Sequence, residues 1–176
     1  HSVGKSYEKN IDIKILSKKN EFLSSNQKGE IICKTPALFT KYYKLANITK
    51  KSLFKGYFKT GDIGYLDKNK YLFFVGRKKY IIKRSGITIY PEDIENIFLN
   101  TKNIDEVAVV GKKTPLNELV YLFVKKNKKI NENLIKTICI KKMSIFQLPD
   151  KIILINNFKK TSIGKINKKS LLKLTN

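Results

Sequence analysis

Short segments that alternate hydrophobic and polar side chains dominate the first half of the chain and predict β-strands. Residues 11–15 alternate with a period of two, and residues 29–33 form a second apolar run that begins with glycine. Such patterns place one face of a strand against a core. Residues 62–66 and 71–75 flank the polar stretch 67–70, which is typical of a β-hairpin.

After Gly76 the pattern changes, because helical spacing now alternates with apolar runs of strand length. The predicted strands are residues 80–83, 107–110, 119–124 and 152–155. Predicted helices begin at Pro91, with Ile94, Ile97 and Phe98 inward, at Asn131, with Leu134, Ile135, Ile138 and Met143 inward, and near Lys168. We therefore expect an α+β fold. A short β-rich segment, residues 1–78, is followed by a small mixed α+β domain, residues 79–176, with a few-stranded sheet flanked by helices.

Composition narrows the class of protein. The chain has 176 residues, of which 41% are hydrophobic and 11% aromatic, enough to bury a sizeable core. No run of eighteen apolar residues occurs, so no membrane span is predicted. Two isolated cysteines, Cys33 and Cys139, and one histidine predict neither a metal site nor a disulfide framework, and they favour the cytoplasm.

The net charge of +23 suggests a nucleic acid or another anionic partner. Only Arg77 and Arg84 are arginines among 37 basic residues, whereas lysine, isoleucine and asparagine are abundant. These three residue types have A/T-rich codons, so a biased genome could produce this composition without selection for binding a polyanion. Nucleic-acid-binding proteins usually rely on arginine for bidentate contacts.

Residues 57–62, Tyr-Phe-Lys-Thr-Gly-Asp, form the first of three polar clusters that are more specific than an ordinary loop requires. Gly61 permits a tight turn, and Asp62 would then lie beside a strand. An ionised aspartate accepts hydrogen bonds through two oxygens, which suits the two hydroxyls of a ribose. An ordinary turn aspartate also accounts for Thr-Gly-Asp taken alone.

The second and third clusters surround Gly86 and Lys165. From Gly76 to Glu95, basic residues flank a strand and Gly86; they are suited to phosphate or ribose, and equally to a solvated strand with a turn glycine. The third cluster, residues 161–168, contains Gly164-Lys165 but lacks the remaining residues of a P-loop. The P-loop interpretation is therefore excluded, and this cluster is predicted to be a loop that presents one lysine.

Taken in order, the three clusters resemble the C-terminal part of adenylate-forming enzymes, the superfamily of acyl-CoA synthetases, peptide-synthetase adenylation domains and firefly luciferase. The shared motifs are aromatic-x-Thr-Gly-Asp, a Gly-Arg-rich hinge and a terminal Thr-x-x-Gly-Lys. The separations of Asp62, Arg77 and Lys165 also agree with that family. The run 85–95, with Tyr-Pro in its centre, is more similar to fatty-acid and aryl-acid CoA ligases than to peptide synthetases.

The resemblance implies that residues 1–78 end a large N-terminal domain and that residues 79–176 are a lid domain. Asp62 would bind the ribose hydroxyls of ATP or AMP, and Arg77 would assist at the same nucleotide. Lys79 would be the hinge about which the lid moves between two poses.

The two poses would serve two half-reactions. In the first, Lys165 would be the catalytic lysine that contacts the substrate carboxylate and the nucleotide. In the second, Lys83 would face the site, and the strand Ser85-Gly86 would line the passage for pantetheine. The implied activity is the ATP-dependent, AMP-forming ligation of a carboxylic acid to a pantetheine thiol. ATP or AMP, Mg²⁺ and CoA or phosphopantetheine would be the cofactors.

The sequence also departs from the family. Tyr80 stands where an acid is usual, Thr88 replaces a frequent arginine or asparagine, and Lys159 replaces a common proline. The phosphate loop and the Tyr-Gly-x-Thr-Glu segment, which would serve the ATP phosphates and Mg²⁺, do not occur in the sequence. We therefore interpret the chain as a fragment, either excised or a truncated gene product, that is inactive alone.

Two alternative functions remain open from the sequence. An amino-acid adenylation domain has a similar C-terminal motif, and the positive charge would attract an acidic carrier protein. A basic nucleic-acid-binding module would bind DNA in a salt-dependent way that does not need Asp62. The leading interpretation, an acyl-CoA ligase, predicts that the partners are a carboxylic acid and either CoA or an acidic carrier protein. It predicts no nucleic-acid partner.

Overall fold

The computed structural model describes residues 2–175, and the chain divides into two compact units, residues 1–79 and 80–176. The first unit is an antiparallel sheet with one short helix. The second combines a three-stranded sheet, a two-stranded hairpin and, within the described residues, three α-helices. The predicted α+β fold class is confirmed.

Strand β4 is the centre of the first unit. In chain order the elements are β1 (Asp12–Leu16), β2 (Gly29–Lys34), α1 (Ala46–Ser52), β3 (Leu53–Phe54), β4 (Tyr57–Leu66) and β5 (Leu72–Arg77). Strand β4 pairs antiparallel with β2, β3 and β5, and β1 pairs antiparallel with β2. The predicted hairpin across residues 67–70 is the β4–β5 pair. The sequence pattern missed α1, which buries no side chain and so lacks an apolar face.

Gly64 allows β4 to approach its neighbours closely. A Cβ atom there would lie 2.4 Å from the carbonyl oxygen of Phe73 in β5 and 2.7 Å from Cδ1 of Ile31 in β2. Both distances are shorter than any real Cβ contact, and the Phe73 oxygen belongs to the backbone, which cannot rotate away. Glycine is therefore a steric requirement of the sheet at this position.

The second unit is built on a mixed sheet in the order β10-β9-β8. Its elements are β6 (Ile82–Arg84), β7 (Ile87–Ile89), α2 (Pro91–Leu99), β8 (Val107–Lys113), β9 (Glu118–Lys125), α3 (Glu132–Lys142), β10 (Lys151–Ile155) and α4 (Lys168–Leu172). Strand β9 pairs antiparallel with β8 and parallel with β10, whereas β6 and β7 form a separate antiparallel hairpin.

Central strand β9 is buried on both faces. One face packs into a cluster with residues of helices α2 and α3, and the other packs into a cluster that reaches the C-terminal segment. Residues of β9 on the first face are Val120, Leu122 and Val124, and those on the second are Tyr121 and Phe123. Burying an apolar side chain of this size contributes about 1.5–3 kcal/mol. The sheet therefore holds helices on one side and the chain end on the other.

Two local expectations need correction, and a third is confirmed. Leu134 is 37% exposed, because α3 turns Ile135, Ile138 and Cys139 inward instead. The strand predicted from residue 80 begins only at Ile82, since residues 78–80 form a 3₁₀ turn. Asn131 does cap α3, because its side-chain oxygen accepts a hydrogen bond from the Leu134 amide at 2.9 Å. Within residues 2–175, no helix is both long and apolar enough to cross a bilayer.

We predict that Gly64→Ala destabilises the first unit by about 1–3 kcal/mol, because the added methyl group overpacks a backbone contact. The measurement is urea unfolding followed by hydrogen exchange at the amides of β2, β4 and β5. Lys68→Ala, an exposed change in the turn of the same hairpin, is the control and should leave exchange unchanged. Equal stability of the two variants would contradict the steric requirement.

Candidate functional site

A bulge in strand β4 shapes the Thr-Gly-Asp motif. Between the pairs Glu30–Ile63 and Ile32–Lys59, β2 advances by two residues whereas β4 advances by four. Three residues, Thr60, Gly61 and Asp62, therefore lie opposite Ile31 alone. The motif was predicted to be a turn. It is instead an irregularity inside a ten-residue strand.

Hydrogen bonds of Thr60 replace the ladder bonds that the bulge interrupts. The Thr60 hydroxyl donates to the carbonyl oxygen of Ile31 at 2.8 Å and accepts from the amide of Asp62 at 3.0 Å. Gly61 has a φ of +74°, which favours glycine over other residues. The three residue types of the motif are thus the ones that this bulge requires.

Asp62 and Arg77 form an ion pair at the end of the β4–β5 ladder. The two residues lie directly opposite each other, and Arg77 Nε lies 2.7 Å from Asp62 Oδ1. The contact is an ion pair without a hydrogen bond, because Asp62 Oδ1 is buried and has no hydrogen-bond partner. The side chains are 24% and 48% exposed, respectively. A carboxylate offers about four acceptor positions, so Asp62 keeps capacity for ligand hydroxyls beside a cation.

Lys83, Ser85 and Gly86 lie on one hairpin, β6–β7. Ser85 and Gly86 are its two-residue turn, with φ of +48° and +80°. Positive φ at both positions is the geometry of a type I′ turn. The strand expected at Ser85-Gly86 is therefore wrong, because these two residues form the turn between β6 and β7.

 Lys83 donates a hydrogen bond across the hairpin to the hydroxyl of Thr88, the residue that faces it in the ladder.

The hairpin turn borders an open cavity of about 380 Å³. Lys83, Ser85 and Gly86 line one side of it, and the β8–β9 turn, residues 113–118, lines the other. A Cβ atom on Gly86 would have no neighbour within 4 Å, so this part of the wall is bare backbone. Lys83, expected to face the site in the second pose, therefore shares one concave surface with Ser85-Gly86, expected to line the pantetheine passage.

Arg84 fixes the hairpin to the rest of its unit. Its guanidinium forms an ion pair with Asp150 and donates to the carbonyl oxygens of Phe146 at 3.0 Å and Leu148 at 2.6 Å. The other oxygen of Asp150 accepts from the amide of Val120 at 2.7 Å. Because Arg84 is largely buried, this network restrains the hairpin and keeps Lys83 beside the cavity.

Lys79 is the last residue of the first unit and lies inside the 3₁₀ turn formed by residues 78–80. Its side chain is exposed. The residue expected to act as the hinge thus stands at the junction of the two compact units.

Lys165 lies on a second short hairpin near the C-terminus. Lys160 and Ile166 form an antiparallel bridge, and the Thr161 amide donates to the Lys165 carbonyl oxygen at 2.7 Å. Gly164 has a φ of +77° and closes the turn. The Lys165 side chain is exposed. The loop predicted from the sequence is therefore an ordered turn with one projecting lysine.

Glu106 anchors this C-terminal hairpin electrostatically. Its two carboxylate oxygens pair with Lys125 at 2.8 Å and with Lys160 at 2.6 Å. Hydrogen bonds from Lys125, and then from Lys160, hold the pKa of Glu106 below its ordinary value. The charged form of Glu106 therefore stabilises the folded second unit.

The structure brings together some of the predicted site residues and not others. It pairs Asp62 with Arg77 in the first unit, and it places Lys83 with Ser85-Gly86 on one hairpin of the second. Lys165 lies on a different element of that second unit. Sequence reasoning missed the structural part played by Thr60, whose signal was a hydroxyl residue directly before a glycine in a strand.

Comparison with known protein families identifies the family of part of the second unit. Residues 93–165 match the family model described as the AMP-binding enzyme C-terminal domain. The chain contains an AMP-binding enzyme C-terminal domain. The match ends at Lys165, so the projecting lysine is part of it. The resemblance to adenylate-forming enzymes that the motifs indicated is thereby confirmed.

Relatives of this AMP-binding C-terminal domain extend the similarity beyond the matched segment. The 2-succinylbenzoate–CoA ligase of Listeria innocua is 35% identical over 144 residues, which cover 81% of the chain and 31% of that protein. The oxalate–CoA ligase of Arabidopsis thaliana is 32% identical over 162 residues, which cover 90% of the chain and 31% of that protein. The chain thus spans about a third of the length of the curated relatives it matches.

A solved structure shows the same fold. ATP-bound MatB from Rhodopseudomonas palustris superposes with a TM-score of 0.91 at 25% identity, and the alignment covers 98% of this chain and 35% of MatB. The fold of the AMP-binding C-terminal domain and of the segment before it is therefore shared with a protein that has been solved with ATP bound.

We predict that Glu106→Gln lowers the free energy of unfolding of the second unit at neutral pH by about 1 kcal/mol or less, because both lysine partners are partly exposed. Since folding lowers the pKa of Glu106, its contribution is present above the ordinary value of 4.5 and disappears as the pH falls through the lower folded value. Wild type and variant should therefore converge in acid.

The measurement is urea unfolding at several pH values, followed by hydrogen exchange at the amides of β8 and β9. Glu132→Gln, which removes an exposed pair with Lys136 on α3, is the matched control and should give a smaller difference. A Glu106→Gln effect that stays constant from neutral to acid pH would contradict the electrostatic anchor.

Proposed function

We propose that this chain is the C-terminal part of an AMP-forming acyl-CoA ligase. Residues 1–78 would end its large N-terminal domain, and residues 79–176 would form its lid. The longer enzyme would activate a carboxylic acid with ATP to an acyl-adenylate and transfer the acyl group to the thiol of CoA. The observation that carries the proposal is the family match over residues 93–165, supported by relatives named as CoA ligases that also align with part of the first unit.

Asp62 and Arg77 would hold the nucleotide. The residues fit a ribose, because a partly exposed carboxylate beside a cation can accept hydrogen bonds from two adjacent hydroxyls. The bulge fixes the backbone of Asp62, so the acceptor is oriented before a ligand arrives. Arg77 would keep that carboxylate in place and add positive charge near the nucleotide.

Lys165 would act in the first half-reaction. When bound, ATP would supply the adenylyl group, with pyrophosphate as the leaving group, and an exposed ammonium on an ordered turn can be placed where negative charge develops around the α-phosphate. Positioned charges of this kind contribute on the order of 10²–10³ in rate. The ordered hairpin supports the proposal, since a lysine on a disordered loop would lose this benefit.

A second pose, reached by rotation at Lys79, would serve thioester formation. Ser85-Gly86 would then line the passage of the pantetheine arm, and Lys83 would face the site. The shared cavity supports this role, because Gly86 leaves bare backbone on its wall and Lys83 adds a cation beside it. Such a movement of a lid domain between steps is a known form of gating.

Magnesium does not enter the roles assigned to this chain. Within residues 2–175, no group of three histidine, cysteine, aspartate or glutamate residues is placed to hold a metal ion. The described residues thus supply no Mg²⁺ site built from three such side chains. In the proposed enzyme its ligands would belong to the N-terminal region.

CoA is the acceptor that we propose, because the relatives reported above are named CoA ligases. An acidic carrier protein remains the alternative acceptor, and the net charge of +23 would favour its approach at low salt. We also propose a cytoplasmic location. Both cysteines are free thiols, and burial raises the pKa of Cys139 to about 11, so this thiol stays protonated at neutral pH.

We predict that Lys165→Ala in the complete enzyme lowers the rate of adenylation by on the order of 10²–10³. Thioester formation from supplied acyl-adenylate should be unchanged, because Lys165 leaves the site in the second pose. Adenylation is measured by pyrophosphate exchange into ATP with a panel of aryl, dicarboxylic and fatty acids, and the second step by release of AMP in the presence of CoA or a carrier protein.

Lys159→Ala, at an exposed lysine of the same segment, is the control and should leave both half-reactions at the wild-type rate. Equal losses in the two half-reactions of Lys165→Ala would contradict the two-pose assignment. Normal adenylation by Lys165→Ala would contradict the proposed function of the lysine altogether.

A further inference from the structure

A largely buried cluster of charges lies three residues beyond Lys165. Lys168, at the start of α4, places its Nζ 2.7 Å from Glu95 Oε1 and 3.9 Å from Glu92 Oε1, both on α2. The side chains of Lys168, Glu95 and Glu92 are only 12%, 14% and 20% exposed. Lysine and glutamate are seldom this buried unless they are paired, so the cluster is a specific structural feature.

Further contacts fix each side of this cluster. Glu95 Oε1 also accepts a hydrogen bond from the amide of Val109 in β8 at 2.7 Å. The ammonium group of Lys168 lies 5.2 Å from the ring centroid of Tyr80, within the range of a cation–π contact. Lys168 therefore connects α4 to helix α2, and Glu95 connects α2 to strand β8. Lys168 also contacts Tyr80, the first residue of the second unit.

The cluster lies at one end of the hairpin that presents Lys165. The Asn167 amide donates to the Lys159 carbonyl oxygen at 2.8 Å, which closes the hairpin directly before Lys168. A displacement of Lys168 would consequently move the strand that carries Lys165. The other strand is anchored by Lys160 and Glu106, but Lys160 is 50% exposed and that contact is more open to solvent.

Tyr80 gives the cluster a second connection. It follows the proposed hinge residue, Lys79, directly in the sequence. Through the cation–π contact, the backbone that leaves the hinge and the segment of Lys165 share one buried lysine. The position of Lys165 within the lid is thus tied to the point about which the lid would turn.

We propose that Lys168 is a positioning residue for adenylation: held by Glu95 and Glu92 and covered by Tyr80, it fixes the hairpin that presents Lys165. This inference rests on the proposed function, because it assigns Lys168 a role through Lys165. Lys168 itself need not contact substrate.

The first test uses the 176-residue chain and needs no activity. In Lys168→Met the buried ammonium is lost while the length of the side chain is kept. We expect faster hydrogen exchange at the amides of Thr161, Gly164 and Lys165, which are hydrogen-bonded inside the hairpin, with unchanged exchange in β8 and β9. Lys169→Met, at the exposed neighbouring lysine, should leave the hairpin amides at wild-type rates.

Two results would overturn the positioning role in this test. Unchanged exchange at the hairpin amides would show that Lys168 does not restrain them. An equal increase throughout the second unit would show that it serves only general stability. Lys168→Arg keeps the charge and should restore hairpin exchange to near the wild-type rate, which separates loss of the ion pair from failure to fold.

The second test measures the half-reactions of the complete enzyme. For Lys168→Met we expect kcat of adenylation to fall by on the order of tenfold to a hundredfold, because a small displacement of a catalytic group has effects of this size. KM for ATP and the rate of thioester formation should not change, and Lys168→Arg should recover most of kcat. A general loss of folded protein would lower both half-reactions alike and would overturn the proposal.

Lys165→Ala distinguishes failure of this inference from failure of the proposed function. If Lys165→Ala stops adenylation and Lys168→Met does not, Lys168 is not a positioning residue and the function stands. If neither change affects adenylation, both the function proposed for Lys165 and the inference built on it are wrong.

Discussion

Burial of strand β9 on both faces is the constraint on which the second unit depends. Five consecutive side chains, Val120 to Val124, are almost completely removed from solvent and alternate between two hydrophobic clusters. The first cluster attaches helices α2 and α3. The second attaches Phe158 and Leu171, which lie on either side of the hairpin of Lys165. Apolar packing thus attaches helix α2, with its acidic residues, and the hairpin of Lys165 to the same sheet.

Polar interactions then refine positions that packing alone leaves loose. Glu95 accepts from the sheet backbone and pairs with Lys168, whereas Glu106 pairs with Lys160 on the other strand of the hairpin. In the first unit, the hydroxyl of Thr60 restores the hydrogen bonds that a bulge removes. In each case the contacts of a side chain fix the local backbone, and the backbone in turn fixes the position of the candidate functional residue.

Much of this fold could be predicted from the sequence, because strands and helices with one apolar face leave a periodic pattern. The β4–β5 hairpin and the helix at Pro91 were predicted on that basis. Helix α1 was not, since it buries nothing, and Leu134 was misplaced because neighbouring residues compete for the same inward face. The motifs indicated Asp62 and Lys165 as candidates, but the pairing of Asp62 with Arg77 and the burial of Lys168 depend on contacts between residues far apart in the chain.

The most direct test of the nucleotide-binding claim is the affinity of the complete protein for ATP, measured by calorimetry for wild type and Asp62→Ala. This measurement does not require the acid substrate to be known. If Asp62 holds the ribose, the variant should bind ATP about tenfold more weakly or worse, as expected when a charged hydrogen-bond acceptor is removed, and Asp67→Ala in the β4–β5 turn should bind normally. Equal affinity of wild type and Asp62→Ala would contradict the assignment of this unit to nucleotide binding.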